Sequence, residues 1–288
     1  MHADVNGTRL WFDVDGPMLV SDGAMMRQRP TVVLVHGGPG GFDHSYLKPD
    51  FARLAAHAQV VYLDLRGHGR SVWGDADDWS FEACADDVRA FCDTVGIDRP
   101  IVFGHSMGGP IVLLYGARHP GHAAGLVVHG GFARWDTPRM VEGFRCVAGD
   151  EVAELARREY SDEEVTDEES ARVYAAFGRV PDEEREAGTP KNLELNAHGG
   201  ELMVNLDIVD QLDRVDSPTL VCVGELDPVT PVAAAEEIVR ALPDGIAQLE
   251  VIPGAGHFTW LDAPDRFWSI IIEFIHRAAP SDVAVRAR

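Results

Sequence analysis

Ile101-Val102-Phe103-Gly104-His105-Ser106-Met107-Gly108-Gly109 reads as a buried strand that runs into a sharp turn and straight on into a helix. Three apolar residues without polar alternation fit a strand covered on both faces. A turn this tight strains the backbone at its apex and brings neighbouring chain very close, so the flanking positions need glycine. Gly104 and Gly108 occupy those positions, and Ser106 stands exposed at the apex.

Outward from this turn, short β-branched runs alternate with longer helical stretches. Strands are expected at 9–14, 31–35, 60–63, 101–103, 125–128, 219–223 and 248–252, and helices at 48–57, 81–95, 107–119, 232–242 and 264–279. Such alternation predicts an α/β fold with a mostly parallel central sheet flanked by helices. The unbroken apolar runs at 31, 101 and 219 belong near the sheet centre. Phe267, Ile270, Ile271, Phe274 and Ile275 fall on one stripe of the last helix, an ordinary packing face. Between 137 and 200 the composition shifts to eight basic against sixteen acidic residues, with acidic triplets at 162–164, 167–169 and 182–184 in helix-friendly sequence. These read as solvated helix faces or helix N-termini. The expected organisation is a core of 1–134 and 212–280, a helical cap insertion over 135–211 and a frayed tail at 281–288.

The chain has 288 residues with 25 Lys and Arg against 47 Asp and Glu, a net charge of −22. That field repels phosphate backbones and anionic lipid surfaces, so neither nucleic acid nor a membrane is expected as a partner. The first residues lack a basic or apolar targeting stretch, and no apolar run approaches the roughly 18 residues of a membrane span. A cytoplasmic address is the expectation. Cys84, Cys92, Cys146 and Cys222 form no CxxC and no metal-like cluster with histidines, so they read as buried thiols without a structural disulfide.

A serine hydroxyl is a poor nucleophile at neutral pH. It needs a base to take its proton, and the base needs an acid to fix its tautomer and stabilise its charge. Downstream, Asp227 lies in Gly224-Glu225-Leu226-Asp227-Pro228 and His257 in Gly254-Ala255-Gly256-His257-Phe258, each just after a strand. Strand-end loops are where parallel sheets gather functional groups. The chain order Ser106, Asp227, His257 is that of one hydrolase fold and differs from the two common protease orders. A tetrahedral intermediate also needs backbone donors. The amide of Met107, next after the serine, is one candidate. Gly38 in His36-Gly37-Gly38-Pro39-Gly40 is the other, because a residue without a side chain lets substrate approach. This glycine-rich run lacks the Lys and Ser/Thr of a phosphate-cradling loop.

Over residues 9–279 the chain resembles the α/β-hydrolase superfamily. The elbow at 104–109 looks like those of esterases and lipases. The run at 36–40, with Asp64-Leu65-Arg66-Gly67-His68-Gly69-Arg70-Ser71 in part, resembles the proline iminopeptidase branch. The resemblance implies a Ser106, Asp227, His257 triad, an oxyanion hole of Gly38 and Met107, a helical cap that shapes the pocket, and no cofactor or metal. The chain departs from the iminopeptidase pattern by placing Met107 where Trp usually follows the nucleophile. It also lacks the Glu-Asn-His-Tyr-Phe-like stretch that helps bind a substrate amine, for which Leu195-Asn196-Ala197-His198-Gly199 is no clear substitute. Glu142, Glu151, Glu154, Glu194 and Glu201 could each supply a carboxylate instead.

Arg66, His68 and Arg70 are expected to tie loops together, and His36 and His105 to be scaffold histidines. Phe132, Trp135, Met140, Phe144 and Trp260 fit an acyl pocket or plain core packing equally well. The function expected is metal-independent serine hydrolysis of a small acyl substrate, an ester, lactone or N-terminal amide, on a small molecule or short peptide. Two alternatives use the same frame: a non-catalytic ligand-binding protein, and a cofactor-free haloperoxidase or carbon–carbon bond hydrolase.

Overall fold

The computed structural model describes residues 1–161, 163–181 and 191–279. The expected tail at 281–288, the acidic triplet at 182–184 and Asp162 of the first triplet lie outside the described residues.

Ten strands are present among the described residues. They are β1 (His2–Val5), β2 (Thr8–Asp15), β3 (Leu19–Asp22), β4 (Met25–Gln28), β5 (Thr31–Val35), β6 (Gln59–Leu63), β7 (Ile101–His105), β8 (Gly125–His129), β9 (Thr219–Gly224) and β10 (Ala247–Ile252). Eight of them form one sheet in the order β1-β2-β6-β5-β7-β8-β9-β10. From β6 to β10 every pairing is parallel, and β1 and β2 add antiparallel strands at one edge. β5, β7 and β8 are buried at every position, which explains their unalternating apolar sequence. β9 is also buried throughout but is seventh of the eight strands, closer to the edge than its sequence suggested. The helix Val232–Ala241 packs on both β9 and its edge neighbour β10.

The helices are α1 (Lys48–Phe51), α2 (Phe81–Val95), α3 (Gly108–Arg118), α4 (Thr137–Glu159), α5 (Asp167–Ala175), α6 (Leu193–Val204), α7 (Val232–Ala241), α8 (Thr259–Asp262) and α9 (Pro264–Ala278). α2 starts at the Ser80 cap, whose hydroxyl accepts from the Ala83 amide, and stops at Gly96 in the left-handed region. α9 buries Phe267, Trp268, Ile270, Ile271, Phe274 and Ile275. The helix expected at 48–57 is shorter: α1 ends at Phe51, and 52–56 tightens into a 3-10 helix.

The segment between β8 and β9 holds α4, α5 and α6. Gly149 (φ 84°) breaks α4 in two. The triplet Asp167, Glu168, Glu169 forms the first turn of α5, where carboxylates meet the positive end of the helix and Thr166 with Glu169 makes a reciprocal cap. Among the described residues no helix is long and apolar enough to cross a membrane. The four cysteines are free thiols, and Cys146, expected to be buried, is exposed on α4 beside Glu142.

Candidate active site

After β5 the chain crosses to β6 on one side of β5 and then returns to β7 on the other side of that strand. This switch point opens a crevice at the carboxyl ends of β5 and β7, the place where parallel sheets bind ligands. The 36–40 loop leaves β5 there, and the Ser106 turn leaves β7 beside it. Ser106 has φ 55°, a left-handed conformation held by its own amide on the His129 carbonyl (3.0 Å) and its carbonyl on the Gly109 amide (2.8 Å). A Cβ on Gly104 would stand 2.2 Å from the Gly108 carbonyl oxygen, and one on Gly108 would stand 2.5 Å from that of Val35. The turn therefore closes only with glycine at both places.

Asp227 and His257 come together from the loops after β9 and β10. His257 Nδ1 donates to Asp227 Oδ2 at 2.7 Å, and both side chains are buried. Asp227 is held from three other directions. Its Oδ1 accepts from the Val229 and Thr230 amides at 3.0 Å each, and its Oδ2 accepts from the Thr230 hydroxyl at 2.8 Å. Burial alone would raise the Asp227 pKa, but His257 and the Thr230 donors outweigh it and hold the carboxyl below its ordinary value. Asp227 is thus an anionic acceptor that fixes the Nδ1 proton of His257 and, with it, the orientation of the ring. Ser106 and His257 line the same cavity without a hydrogen bond to each other, a spacing that unliganded sites often show.

The two expected oxyanion donors are uncommitted. Among the described residues neither the Gly38 nor the Met107 amide donates a hydrogen bond, whereas their neighbours do. The Gly37 amide donates to the Tyr46 hydroxyl (2.7 Å), Gly40 to His68 Nε2 (2.9 Å) and Gly41 to the Pro39 carbonyl (2.6 Å). The loop is held by neutral histidines. His36 donates from Nδ1 to the Gly37 carbonyl (2.6 Å) and accepts the Leu65 amide (3.2 Å), while His68 donates to the Arg66 carbonyl (2.9 Å). Burial pushes the His68 pKa down to about 3, so its Nε2 remains an acceptor. Asp43, His44 and Asp64 cluster nearby. Asp64 accepts from the His44 amide (3.0 Å), His44 Nδ1 (2.6 Å) and the Arg70 amide (3.0 Å), which makes the group a clasp between two loops. Arg66 makes a bidentate bond to buried Asp87, and the Arg70 guanidinium lies over Trp11, so both act in packing.

Above these groups lies a cavity of about 1130 Å³ whose far wall comes from α4, α5 and α6. Its aromatic lining is Phe42, Tyr46, Tyr160, Tyr174, Phe177 and Phe258. None of Phe132, Trp135, Met140, Phe144 or Trp260 reaches it; they are buried in packing. Of the five glutamates considered from sequence, Glu194 and Glu201 line the cavity, whereas Glu142, Glu151 and Glu154 are exposed and paired with Arg145, Arg172 and Arg157. A sixth, Glu159, was missed. Its Oε1 accepts the Ser170 hydroxyl at 2.9 Å, and its Oε2 is buried with no hydrogen-bond partner among the described residues. Sequence offered no signal for it, because Glu159 ends an ordinary amphipathic helix.

The sheet order, the crossover helices and the strained serine turn define an α/β-hydrolase fold. Residues 30–157 match the family described as the alpha/beta hydrolase fold, and the chain as a whole is similar in sequence to proline iminopeptidases and to a lipase. It is 26% identical over 274 residues to a proline iminopeptidase of Thermoplasma volcanium, covering 87% of this chain and 90% of that one. It is 29% identical over 271 residues to a monoacylglycerol lipase of Mycolicibacterium smegmatis, covering 88% of each. The crystal structure of a proline iminopeptidase of Mycobacterium smegmatis superposes with a TM-score of 0.77 at 24% identity, over 96% of this chain and 98% of that one.

Proposed function

We propose that the protein is a serine hydrolase that cleaves a small acyl substrate, with 135–211 as a cap over the cavity. The observation that carries this reading is the buried Asp227–His257 pair, whose histidine lines the same cavity as the strained Ser106. In the first half-reaction Ser106 Oγ attacks the substrate carbonyl carbon while His257 Nε2 takes its proton. The oxyanion forms against the Gly38 and Met107 amides. Collapse breaks the bond to the leaving group, which departs with the proton from His257 and leaves an acyl-Ser106. Water then attacks the acyl carbon with His257 again as base, and the acid leaves with Ser106 restored. Asp227 orients His257 and stabilises its imidazolium.

Among the proteins of similar sequence are both an iminopeptidase and a lipase by name, so likeness alone does not choose between amide and ester. Glu159 favours a substrate that carries an ammonium near the scissile bond, since the cavity lining also holds Asp77, Glu194 and Glu201 and, among the described residues, no Arg or Lys. The test compares kcat/KM for a prolyl arylamide and for a short-chain aryl ester, with Ser106→Ala as the blank. Turnover is expected to fall by about 10⁴-fold or more in the variant. Undiminished turnover by pure Ser106→Ala protein would remove Ser106 from the chemistry. Arylamide cleavage lost on acylating the substrate amine is the result expected of an iminopeptidase. Cleavage of the ester alone would assign the protein to the esterases.

A further inference from the structure

Tyr46 follows the 36–40 loop and precedes α1, and its side chain is buried against the site. Its hydroxyl accepts the Gly37 amide at 2.7 Å and lies 2.8 Å from His105 Nδ1. His105 Nε2 lies 3.4 Å from the carbonyl oxygen of His257. The backbone groups at the two ends, an N–H that can only donate and a carbonyl that can only accept, set the direction of the chain. The Gly37 N–H donates to Tyr46, the Tyr46 O–H donates to Nδ1 of His105, and Nε2–H of His105 donates to the His257 backbone. Burial first, then His257 and His129, push the His105 pKa well below its ordinary value, so the ring remains neutral and Nδ1 remains an acceptor. One buried chain of hydrogen bonds thus joins the 36–40 loop to the loop that carries His257.

Two amides in succession, Gly37 and Gly38, follow the strand end, and only one of them is free. A Cβ on Gly37 would lie 3.2 Å from both the Tyr46 hydroxyl and Ser106 Cβ, so this peptide sits directly between the tyrosine and the serine. We propose that Tyr46 is a positioning residue: its hydroxyl ties back the Gly37 amide so that the Gly38 amide faces the oxyanion, and through His105 it fixes that loop relative to His257. The proposal rests on the serine hydrolase reading. Without the hydroxyl, the buried Gly37 amide has no partner, and the peptide relieves that cost by turning toward the cavity, which moves Gly38. The transition state suffers and ground-state binding does not, because the oxyanion exists only after attack.

The experiment measures the rate of fluorophosphonate labelling, kcat and KM for wild type and Tyr46→Phe, with thermal unfolding to verify the fold. Labelling and kcat are expected to fall together by about 10–100-fold, with KM within about threefold. A second pair keeps the test independent of the tyrosine. His105→Asn retains an acceptor near the Nδ1 position and His105→Leu does not, so the asparagine variant is expected to label about tenfold faster. Nitrogen NMR of His105 is expected to show a bare, hydrogen-bonded Nδ1 in wild type that changes in Tyr46→Phe. Labelling of Tyr46→Phe within twofold of wild type, or asparagine no better than leucine at position 105, would overturn the proposal alone. Failure of wild-type protein to label would overturn the hydrolase reading and this proposal with it.

Discussion

Glu159 has one carboxylate oxygen bound to Ser170 and the other buried without a partner among the described residues, beside a cavity that also holds the serine and histidine. An unpartnered buried acceptor costs free energy that a ligand donor recovers on binding. An ammonium supplies both the donor and the opposite charge. Glu159→Gln removes the charge while keeping the shape and the Ser170 contact. For an amine-bearing substrate, kcat/KM is expected to fall by about 10–100-fold, mostly in KM, since the interaction is made equally in ground and transition states. A neutral ester of the same size is expected to change by less than about threefold. Equal losses for the two substrates in steady-state kinetics would mean that Glu159 supports the wall and does not read the substrate.

At the scale of elements, the site depends on how the α4–α6 segment meets the sheet. The turn after α5 reaches down to the histidine loop, where the His257 amide donates to the Phe177 carbonyl at 2.8 Å. A Cβ on Gly256 would stand 2.1 Å from that carbonyl oxygen, a backbone atom that cannot swing away. Gly256→Ala is therefore expected to push the Phe177 turn off the loop. The expected cost is about 1–3 kcal/mol in urea unfolding, with a larger loss in kcat than a surface substitution gives. Unchanged stability and turnover would show that the turn after α5 does not brace His257. The same scale explains what could be read from sequence. β5, β7 and β9 were legible because burial on both faces removes polar alternation, and the Ser106 elbow because its cause is local, two glycines around a strained apex. β3 and β4 were not, since their hairpin is largely exposed and leaves no buried face to mark the period. β1 is four residues long, too short to show a pattern. The partnership of Asp227 with His257 could be inferred only from chain order and strand ends. Tyr46 and Glu159 gave no sign at all, because their contacts, to residue 105 and to the cavity, exist only once distant elements have packed.

For the whole molecule, the decisive count is of buried neutral histidines. His36, His68, His105 and His129 are all buried, and burial pushes each pKa below the ordinary value, with His68 and His129 brought down to about 3. The unfolded chain protonates these rings near pH 6.5, while the native chain holds them neutral until much lower pH. Between those values the unfolded state binds more protons, so stability rises with pH through that window and is complete above it. Each such ring contributes about 1.4 kcal/mol per pH unit within its window. Asp64 and Asp227, whose pKa values are held below the ordinary range, add the same sign of dependence at more acidic pH. The net charge of −22 works the other way, because protonating surface carboxylates relieves repulsion and favours the folded state. The sign of the slope therefore tells which effect wins. In urea titrations at about 0.3 M salt, where surface repulsion is largely screened, the midpoint is expected to be level above pH 7 and to decline steadily from pH 6.5 to 5. His129→Gln, which can keep a contact to the Thr259 hydroxyl (2.6 Å in the wild type) without a titrating ring, is expected to flatten that decline by about 1.4 kcal/mol per pH unit. A midpoint that holds constant or rises down to pH 5 would show that repulsion among the carboxylates, not the buried histidines, governs the acid stability of this fold.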